Sequence, residues 1–187
     1  EHDDYSLIFS IIHELTPKRA GRLLLQAFRA LDKIPEFAFS KANVINKKIA
    51  VLGGATTQFL VPVVKLFSFQ RGIKLEVYQC GFALYEHEIR SKSEKLREFS
   101  PDLIHFHVCS ENLLFPSQPG MFEHTLNQES SRFLSLLSMA QDQFNCSVIL
   151  DTFETRGERA LGNLDRTGPN SKNYFIRALN NKIALAL

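Results

Sequence analysis

The sequence predicts an α/β protein built as three layers around a parallel sheet. From Lys48 onwards, short strand-like runs alternate with longer helix-like runs. Each strand-like run is apolar almost without interruption, as in strands that are covered on both faces. Strands separated by helices require right-handed crossovers, which make the strands parallel. These observations favour one α/β domain over residues 47–187, preceded by a helical segment over residues 1–46.

Two helices are expected in the N-terminal segment. The run DDYSLIFSIIHEL places its large apolar residues on one helical face, namely Leu7, Ile8, Ile11, Ile12 and Leu15. Thr16 then fits an N-cap, with Pro17 at the first helical position. The second helix is expected to run to Ile34, because Pro35 cannot continue it. These helices could cover a core or form a docking surface.

The α/β domain itself resolves into predicted elements. Strands are predicted at Lys48–Leu52, Lys74–Gln79, Leu103–Val108 and Ser147–Asp151. Helices are predicted at Thr57–Gln70, Glu86–Phe99, Glu129–Phe144 and Ser171–Leu187. The sequence ends inside the last of these helices, where the alternation calls for a further strand. We therefore expect the domain to be truncated at its C-terminus and to belong to a longer polypeptide.

The loops at the carboxyl ends of the predicted strands form the rim where ligands bind in this class of fold. In the first loop, Gly53 and Gly54 allow a sharp turn whose backbone amides could contact a ligand. The hydroxyls of Thr56 and Thr57 could add donors. The spacing matches neither dinucleotide-binding nor P-loop motifs. The alternative is that the glycines shape the turn and a threonine caps the helix.

Three further residues of the rim are candidate ligand-binding residues. Tyr85 and Glu86, in the run YEHEI, lie at the start of the helix predicted over Glu86–Phe99, where the alternative is a solvated helix start that favours glutamate. Asn163 lies in the loop ALGNLDRTGPN and could reach over the rim. The alternative for that loop is a plain surface connection.

Motifs for metal binding and for phosphoenzyme chemistry are incomplete. His105 and His107 share one face of a predicted strand, but the sequence identifies no third ligand. We therefore expect packed or hydrogen-bonded histidines and no metal. Asp151 ends an apolar strand, as in aspartate-nucleophile phosphatases, but Phe153 stands where those enzymes carry a second aspartate.

Composition and charge exclude several functional classes. The net charge of +2 is small, and basic residues are mixed with acidic ones, which argues against nucleic-acid binding. No apolar run approaches the ~20 residues of a membrane span, and the acidic start is unlike a secretion signal. Cys80, Cys109 and Cys146 form an odd, scattered set, which argues against a disulfide framework and favours a reducing cytoplasm.

Four segments in order resemble the N-terminal domain of FkbH-like proteins, over about Lys47 to Leu187: KKIAVLGGATTQFLVPVVKLF, LEVYQCGFALYEHEIRSKSEKLREFSPDLIHFH, ERALGNLD and ALNNKIALAL. The resemblance implies a flavodoxin-like α/β fold of the SGNH-hydrolase type, followed by a haloacid-dehalogenase-type domain that uses magnesium. It also implies that the parent protein loads a glyceryl unit onto an acyl carrier protein in polyketide-type biosynthesis. The expected partners are therefore the carrier protein and the downstream domain, and no cofactor is expected in this domain.

The resemblance also bears on catalysis by this domain. SGNH hydrolases end their first strand in G-D-S, whose serine attacks an acyl group. On that alignment Gly53 matches the glycine, Gly54 replaces the aspartate and Ala55 replaces the nucleophile. Thr56, one residue further on, is the one weak catalytic candidate and would need a shift of register. We therefore expect a non-hydrolytic domain.

Two alternatives stay open from the sequence. One is an active esterase or acyltransferase that uses Thr56, with a base such as His105 or His107. The other is a nucleotide-binding, Rossmann-like module. The acyl substrate, the carrier protein and the oligomeric state are not defined by the sequence.

Overall fold

The computed structural model describes residues 12, 21–34, 39, 44–118, 120–155, 157, 162–168 and 171–187. Its strands are β1 (Ile45–Gly53), β2 (Ile73–Gln79), β3 (Leu103–His107) and β4 (Ser147–Leu150). They form one parallel sheet in the order β2-β1-β3-β4, which is the order of the first four strands in flavodoxin-like folds. The predicted α/β class is confirmed, and each predicted strand is found within three residues of its expected ends.

Six helices occur in the described part of the chain: α1 (Gly21–Leu31), α2 (Leu60–Phe69), α3 (Tyr85–Arg90), α4 (Glu94–Phe99), α5 (Phe122–Phe144) and α6 (Lys172–Ala184). Two 3-10 turns lie at Ser110–Asn112 and Gly162–Arg166. Helix α5 begins seven residues before the predicted Glu129, because its first two turns are polar and lack a clear apolar period. None of these helices has the length and apolar character that crossing a membrane requires.

The prediction of one helix over Glu86–Phe99 is wrong, since α3 and α4 are separate. Lys92 between them has a φ of 54°, in the left-handed region that a continuous helix excludes. Ser93 then leaves the helical conformation, with a ψ of 121°, and its hydroxyl accepts a hydrogen bond from the amide of Leu96, 3.4 Å away. A serine that caps a new helix competes with continuation of the old one, which explains the break.

The N-terminal segment is described in part. Helix α1 falls within the second predicted helix. The first predicted helix and the cap at Thr16 and Pro17 lie outside the described residues, apart from Ile12, which is buried. The boundary proposed between residues 46 and 47 stays a prediction.

The chain divides into two compact units. The first comprises residues 1–49 and 56–78. In it, α1 packs against α2, and six buried apolar residues form the core: Ile12, Leu31, Ile34, Phe39, Leu66 and Phe69. Lys65 and Lys74 lie at the border of this core, where Lys65 faces the carboxylate of Asp32 at 4.0 Å and Lys74 lies 4.4 Å from the ring centre of Phe39.

The second unit comprises residues 50–55 and 79–187. Its central helix α5 packs against α3, α6 and β4. Phe106, Phe133 and Phe175 are fully buried in its core, and Phe133 makes a ring contact with Phe153 at 4.9 Å. The residues of the candidate functional site belong to this unit.

The two faces of β3 differ in character. Ile104 and Phe106 point into the core and are fully buried, whereas the alternate residues His105 and His107 lie on the half-buried face. Strand β4 runs parallel to β3, with His105 opposite Ile149 and Phe106 opposite Leu150. One residue further along this register, the pair would be His107 and Asp151. The strand register therefore places both histidines and the aspartate on the same face of the sheet.

Candidate functional site

The candidate site lies at the carboxyl ends of β1, β3 and β4 in the second unit. Three segments meet there: the Gly53-Gly54 turn, residues His107–Asn112 after β3, and residues Asp151–Glu154 after β4. Because parallel strands end at the same edge of a sheet, segments far apart in sequence become neighbours. Hydrogen bonds between these segments fix their positions.

The Gly53-Gly54 turn is held by bonds within the protein. The Gly53 amide donates to the Sγ of Cys80 at 3.2 Å, and the Gly54 amide donates to the carbonyl of His107 at 2.9 Å. The Nδ2 of Asn112 donates to the carbonyl of Gly54 at 3.0 Å. These bonds support the alternative that the glycines shape the turn. The assignment of Gly53 and Gly54 to ligand binding stays a prediction, and a ligand there would need donors other than these two amides.

Gly54 is required by the close approach of a side chain. A Cβ atom at this position would lie 2.3 Å from the Oδ1 of Asn112, well inside van der Waals contact. The same Oδ1 accepts the amide of Cys109 at 2.9 Å, so the Asn112 side chain joins the β1 turn to the loop after β3. The glycine therefore makes room for a structural amide.

The residues after the turn do not form an enclosed nucleophile site. Ala55 is half-buried and Thr56 is exposed to solvent. Phe59, at the N-cap of helix α2, makes no side-chain hydrogen bond to the helix, and the alternative of a threonine cap stays a prediction. The carbonyl of Thr57 instead accepts the amides of Leu60 and Val61, both at 3.0 Å. The roles of Thr56 and Thr57 in catalysis or ligand binding stay predictions.

His105, His107 and Asp151 form one hydrogen-bonded cluster. The Nε2 of His105 lies 2.8 Å from one carboxylate oxygen of Asp151, and the Nδ1 of His107 lies 2.7 Å from the other. Burial alone would raise the pKa of Asp151, but the bonds to the two imidazoles outweigh it and lower the pKa below its ordinary value. The expected hydrogen-bonded histidines are present, and the structure adds the carboxylate that the sequence did not identify.

A second group lies on the adjacent loops. The hydroxyl of Ser110 donates to Glu154 Oε1 at 2.7 Å, and the Ser110 amide donates to the same carboxylate at 3.1 and 3.3 Å. Burial acts to raise the pKa of Glu154, but these bonds hold it below its ordinary value. Ser110 is fully buried. Its hydroxyl proton is directed at a carboxylate, so the geometry joins two loops and does not expose a nucleophile.

Tyr85 and Glu86 are engaged by an arginine that sequence reasoning missed. Arg132 pairs with Glu86 and with Glu129, to which its Nη2 donates at 2.6 Å, and it donates to the hydroxyl of Tyr85 at 3.4 Å. It also donates to the carbonyl of Asn112 at 2.7 Å. Burial alone would lower the pKa of Arg132, but its bond to Glu129 raises it. Ligand binding by Tyr85 and Glu86 stays a prediction, and both residues have a structural role in this network.

The signal for Arg132 was weak in the sequence. Glu129 and Arg132 are three residues apart on α5, a spacing that places them on one helical face. Glu129 is fully buried, however, and the second partner of Arg132, Glu86, lies 46 residues from the arginine in sequence. Only the packing of α5 on α3 shows that Arg132 and Glu86 join these two helices. Asn163, the remaining predicted residue, is exposed on the turn Gly162–Arg166, and its binding role stays a prediction.

The three cysteines are free thiols. Burial raises the pKa of each of them, which lowers the thiolate fraction at neutral pH. Cys80 additionally accepts the Gly53 amide, and Cys109 lies beside Asn112. These surroundings are typical of structural rather than nucleophilic cysteines.

Comparisons with known proteins agree on one family and one fold. The sequence model described as FkbH, N-terminal domain, matches residues 48–186. A solved structure similar to this chain is the N-terminal part of the protein BF1531 from Bacteroides fragilis, described as containing a phosphatase domain complexed with Mg. The two share 18% identity at a TM-score of 0.66, over 85% of this chain and 40% of that one, so the likeness concerns the fold. No curated protein matches the chain significantly.

Proposed function

Because the chain belongs to the family of FkbH N-terminal domains, we propose that it is the non-hydrolytic, SGNH-like domain of a protein that loads a glyceryl unit onto an acyl carrier protein. Its task is to position the carrier protein, its acyl group or the neighbouring catalytic domain. The phosphoryl chemistry belongs to a haloacid-dehalogenase-type domain outside these 187 residues. The phosphatase domain in the structurally similar Bacteroides protein supports this pairing of domains.

The observation that carries the proposal is the lack of a poised nucleophile at the end of β1. Ala55 occupies the position of the SGNH serine, and a methyl group cannot attack a carbonyl carbon. Thr56 is exposed, whereas an activated hydroxyl is held against a base. The imidazoles of His105 and His107 are hydrogen-bonded to Asp151. These features support positioning rather than acyl transfer by this domain.

Magnesium, in this proposal, belongs to the catalytic domain. Haloacid-dehalogenase-type sites hold the ion with two aspartates two residues apart, and no pair of aspartates in this sequence has that spacing. The residue two positions after Asp151 is Phe153, which is buried. This chain therefore contributes no step that depends on magnesium.

An ester-hydrolysis assay tests the non-hydrolytic part of the proposal. We expect the wild-type chain to hydrolyse short acyl esters no faster than the variants Thr56→Ala and Thr57→Ala. The measurement is the release of nitrophenol from its acyl esters across several chain lengths. Turnover by the wild type that disappears in either variant would favour the alternative of an active esterase or acyltransferase.

Titration with a carrier protein tests the positioning role. We expect the chain to bind an acyl carrier protein that carries its phosphopantetheine arm, measured by isothermal titration calorimetry. The matched control is the same carrier protein without the arm, which should bind more weakly because the acyl group and its tether are the proposed cargo. Equal binding of both forms would contradict recognition of the arm, and no binding of either form would contradict the carrier as a partner.

A further inference from the structure

We propose that His105, His107 and Asp151 form a binding site for a divalent first-row transition metal ion of the zinc type. The inference goes beyond the function proposed above and does not depend on it. It rests on the geometry of three side chains that the sheet brings together.

The three side chains converge on one point. A ligand atom from each of them lies within 4.8 Å of the other two. His105 reaches the aspartate with its distal nitrogen, Nε2, and His107 reaches it with the proximal nitrogen, Nδ1. The choice of nitrogen follows from position, because His107 is adjacent to Asp151 along the strand register and His105 is one pleat further away. Both nitrogens are common metal ligands in proteins.

Metal binding would need only a small increase in the distances between the ligand atoms. Ligand atoms around a tetrahedral zinc ion, at bond lengths of about 2.0–2.1 Å, are about 3.3 Å apart. The two imidazole nitrogens now lie 2.8 and 2.7 Å from carboxylate oxygens of Asp151. An ion could therefore enter between the three groups if each separation opened by about half an ångström. Side-chain rotation supplies such a shift without a change in the strands.

The chemistry of the three groups selects the class of ion. Two imidazoles and one carboxylate suit zinc, cobalt, nickel or ferrous iron, whereas magnesium and calcium prefer oxygen ligands alone. Metal binding also requires that the nitrogen that becomes a ligand carries no proton. A neutral imidazole that donates to Asp151 can move its proton to its other nitrogen, so the nitrogen facing the carboxylate becomes a ligand. The carboxylate offsets one of the two positive charges of the ion.

Partial burial makes the site accessible. The side chains of His105, His107 and Asp151 are 16%, 29% and 34% exposed. The ligands are thus shielded by the sheet on one side and open to solvent on the other. Three protein ligands with an open side leave a coordination position for water or for an anionic group of a bound molecule.

The neighbouring group of Cys109, Glu111 and Glu154 is a weaker candidate. Its three ligand atoms also lie within 4.8 Å of one another, but both glutamates are exposed. The carboxylate of Glu154 already accepts the hydroxyl and amide of Ser110. Burial raises the pKa of the Cys109 thiol, which opposes the thiolate form that binds metals. This group therefore supplies a control for the experiment.

The test is a cobalt titration of the full 187-residue chain after removal of metal with a chelator. We expect visible d–d absorption that saturates at one Co²⁺ per chain and is displaced by Zn²⁺. The variants His105→Ala, His107→Ala and Asp151→Ala should each weaken binding at least about tenfold, because losing even a second-shell partner of a metal costs about 10–100-fold in affinity. His124→Ala, which removes an exposed histidine from α5, and Glu154→Gln should bind as the wild type does.

Two outcomes would overturn the inference. One is a wild-type chain that shows no cobalt absorption, which would leave the cluster as a hydrogen-bonded triad alone. The other is unchanged cobalt binding in the three ligand variants. Far-ultraviolet circular dichroism separates loss of binding from loss of folding. If a ligand variant is unfolded, two measurements on folded proteins still decide the question. One is the cobalt absorption of the wild type. The other is an increase in melting temperature with Zn²⁺ that the wild type and the His124→Ala variant share.

Discussion

At the scale of single residues, Gly54 and Asn112 show how one contact determines a residue type. Asn112 bonds to the carbonyl of Gly54 and to the amide of Cys109, so its side chain occupies the space beside the glycine. A larger residue at position 54 would displace this amide and break both bonds. The glycine is thus explained by packing, with no need for a ligand.

Replacing Gly54 with alanine should destabilise the protein by about 1–3 kcal/mol, the range for forcing an extra group into a packed site. The physical reason is the 2.3 Å approach of the new Cβ to Asn112. Urea denaturation measures the change. The matched control is Gly157→Ala, because a Cβ at Gly157 meets nothing within 4 Å. The expectation fails if both variants have the same stability.

Glu154 should show a depressed pKa and a matching dependence of stability on pH. Since bonds from Ser110 hold its folded pKa below the ordinary value of 4.5, its contribution is present above that value and is lost as pH falls through the folded pKa. Carbon-13 NMR titration of the carboxylate measures the pKa. In Ser110→Ala the pKa should rise part of the way, because the backbone amide still donates. An identical pKa in both proteins would refute the role of the hydroxyl.

At the scale of elements, Arg132 ties the first turn of α3 to α5 and to the loop after β3. Its partner Glu129 is fully buried, so the carboxylate depends on the arginine for its charge balance. Glu129 also accepts the amide of Leu114 at 3.1 Å, which extends the same network into the loop. The network therefore fixes three segments of the second unit together.

Replacing Arg132 with methionine should destabilise the protein by about 3–5 kcal/mol, because it leaves a buried charge without a partner. Arg90→Met is the matched control. Arg90 also pairs with Glu86, at 3.2 Å, but on the surface, so its loss should cost about 0.5 kcal/mol or less. Urea denaturation at pH 7 compares the two. The double variant Arg132→Met with Glu129→Gln should recover part of the loss, and no recovery would argue against an unpaired charge as the cause.

The sequence predicts elements better than it predicts contacts, for a physical reason. The strands are short apolar runs, which identify them in the sequence even though β2 and β4 contain no fully buried residue. The break at Lys92 was missed because one serine cap outweighed a continuous helical period. In the sequence, Asp151 matches only part of a phosphatase motif. Its contact with His107 joins residues 44 positions apart and depends on strand register. Only the folded chain brings those groups together.

At the scale of the whole molecule, the chain has a four-stranded sheet in the order β2-β1-β3-β4 and belongs to the family of FkbH N-terminal domains. Buried apolar residues form a core in each of its two units. The rim of the second unit carries the histidines and the aspartate, and its glycine turn is engaged by Asn112 and Cys80. This arrangement differs from a phosphate-binding loop, whose amides are turned towards the ligand.

Common nucleotides should therefore leave the melting temperature unchanged. A ligand that binds only the folded chain raises the melting temperature increasingly as its concentration exceeds its Kd, so differential scanning fluorimetry with ATP, GTP and NAD is a direct measurement. The amides of Gly53 and Gly54 are engaged, and the glycine spacing fits no nucleotide motif. A melting temperature that increases with the concentration of any of the three nucleotides would favour the Rossmann-like alternative.

The Arg132 network also has a consequence for the order of events in folding. Its bonds join residues up to 47 positions apart, and a chain must close such loops before these bonds can form. Contacts that form after the rate-limiting barrier slow the escape from the native state and leave the speed of its formation nearly unchanged. We therefore expect loss of the arginine to speed the unfolding of the second unit more than it slows its folding.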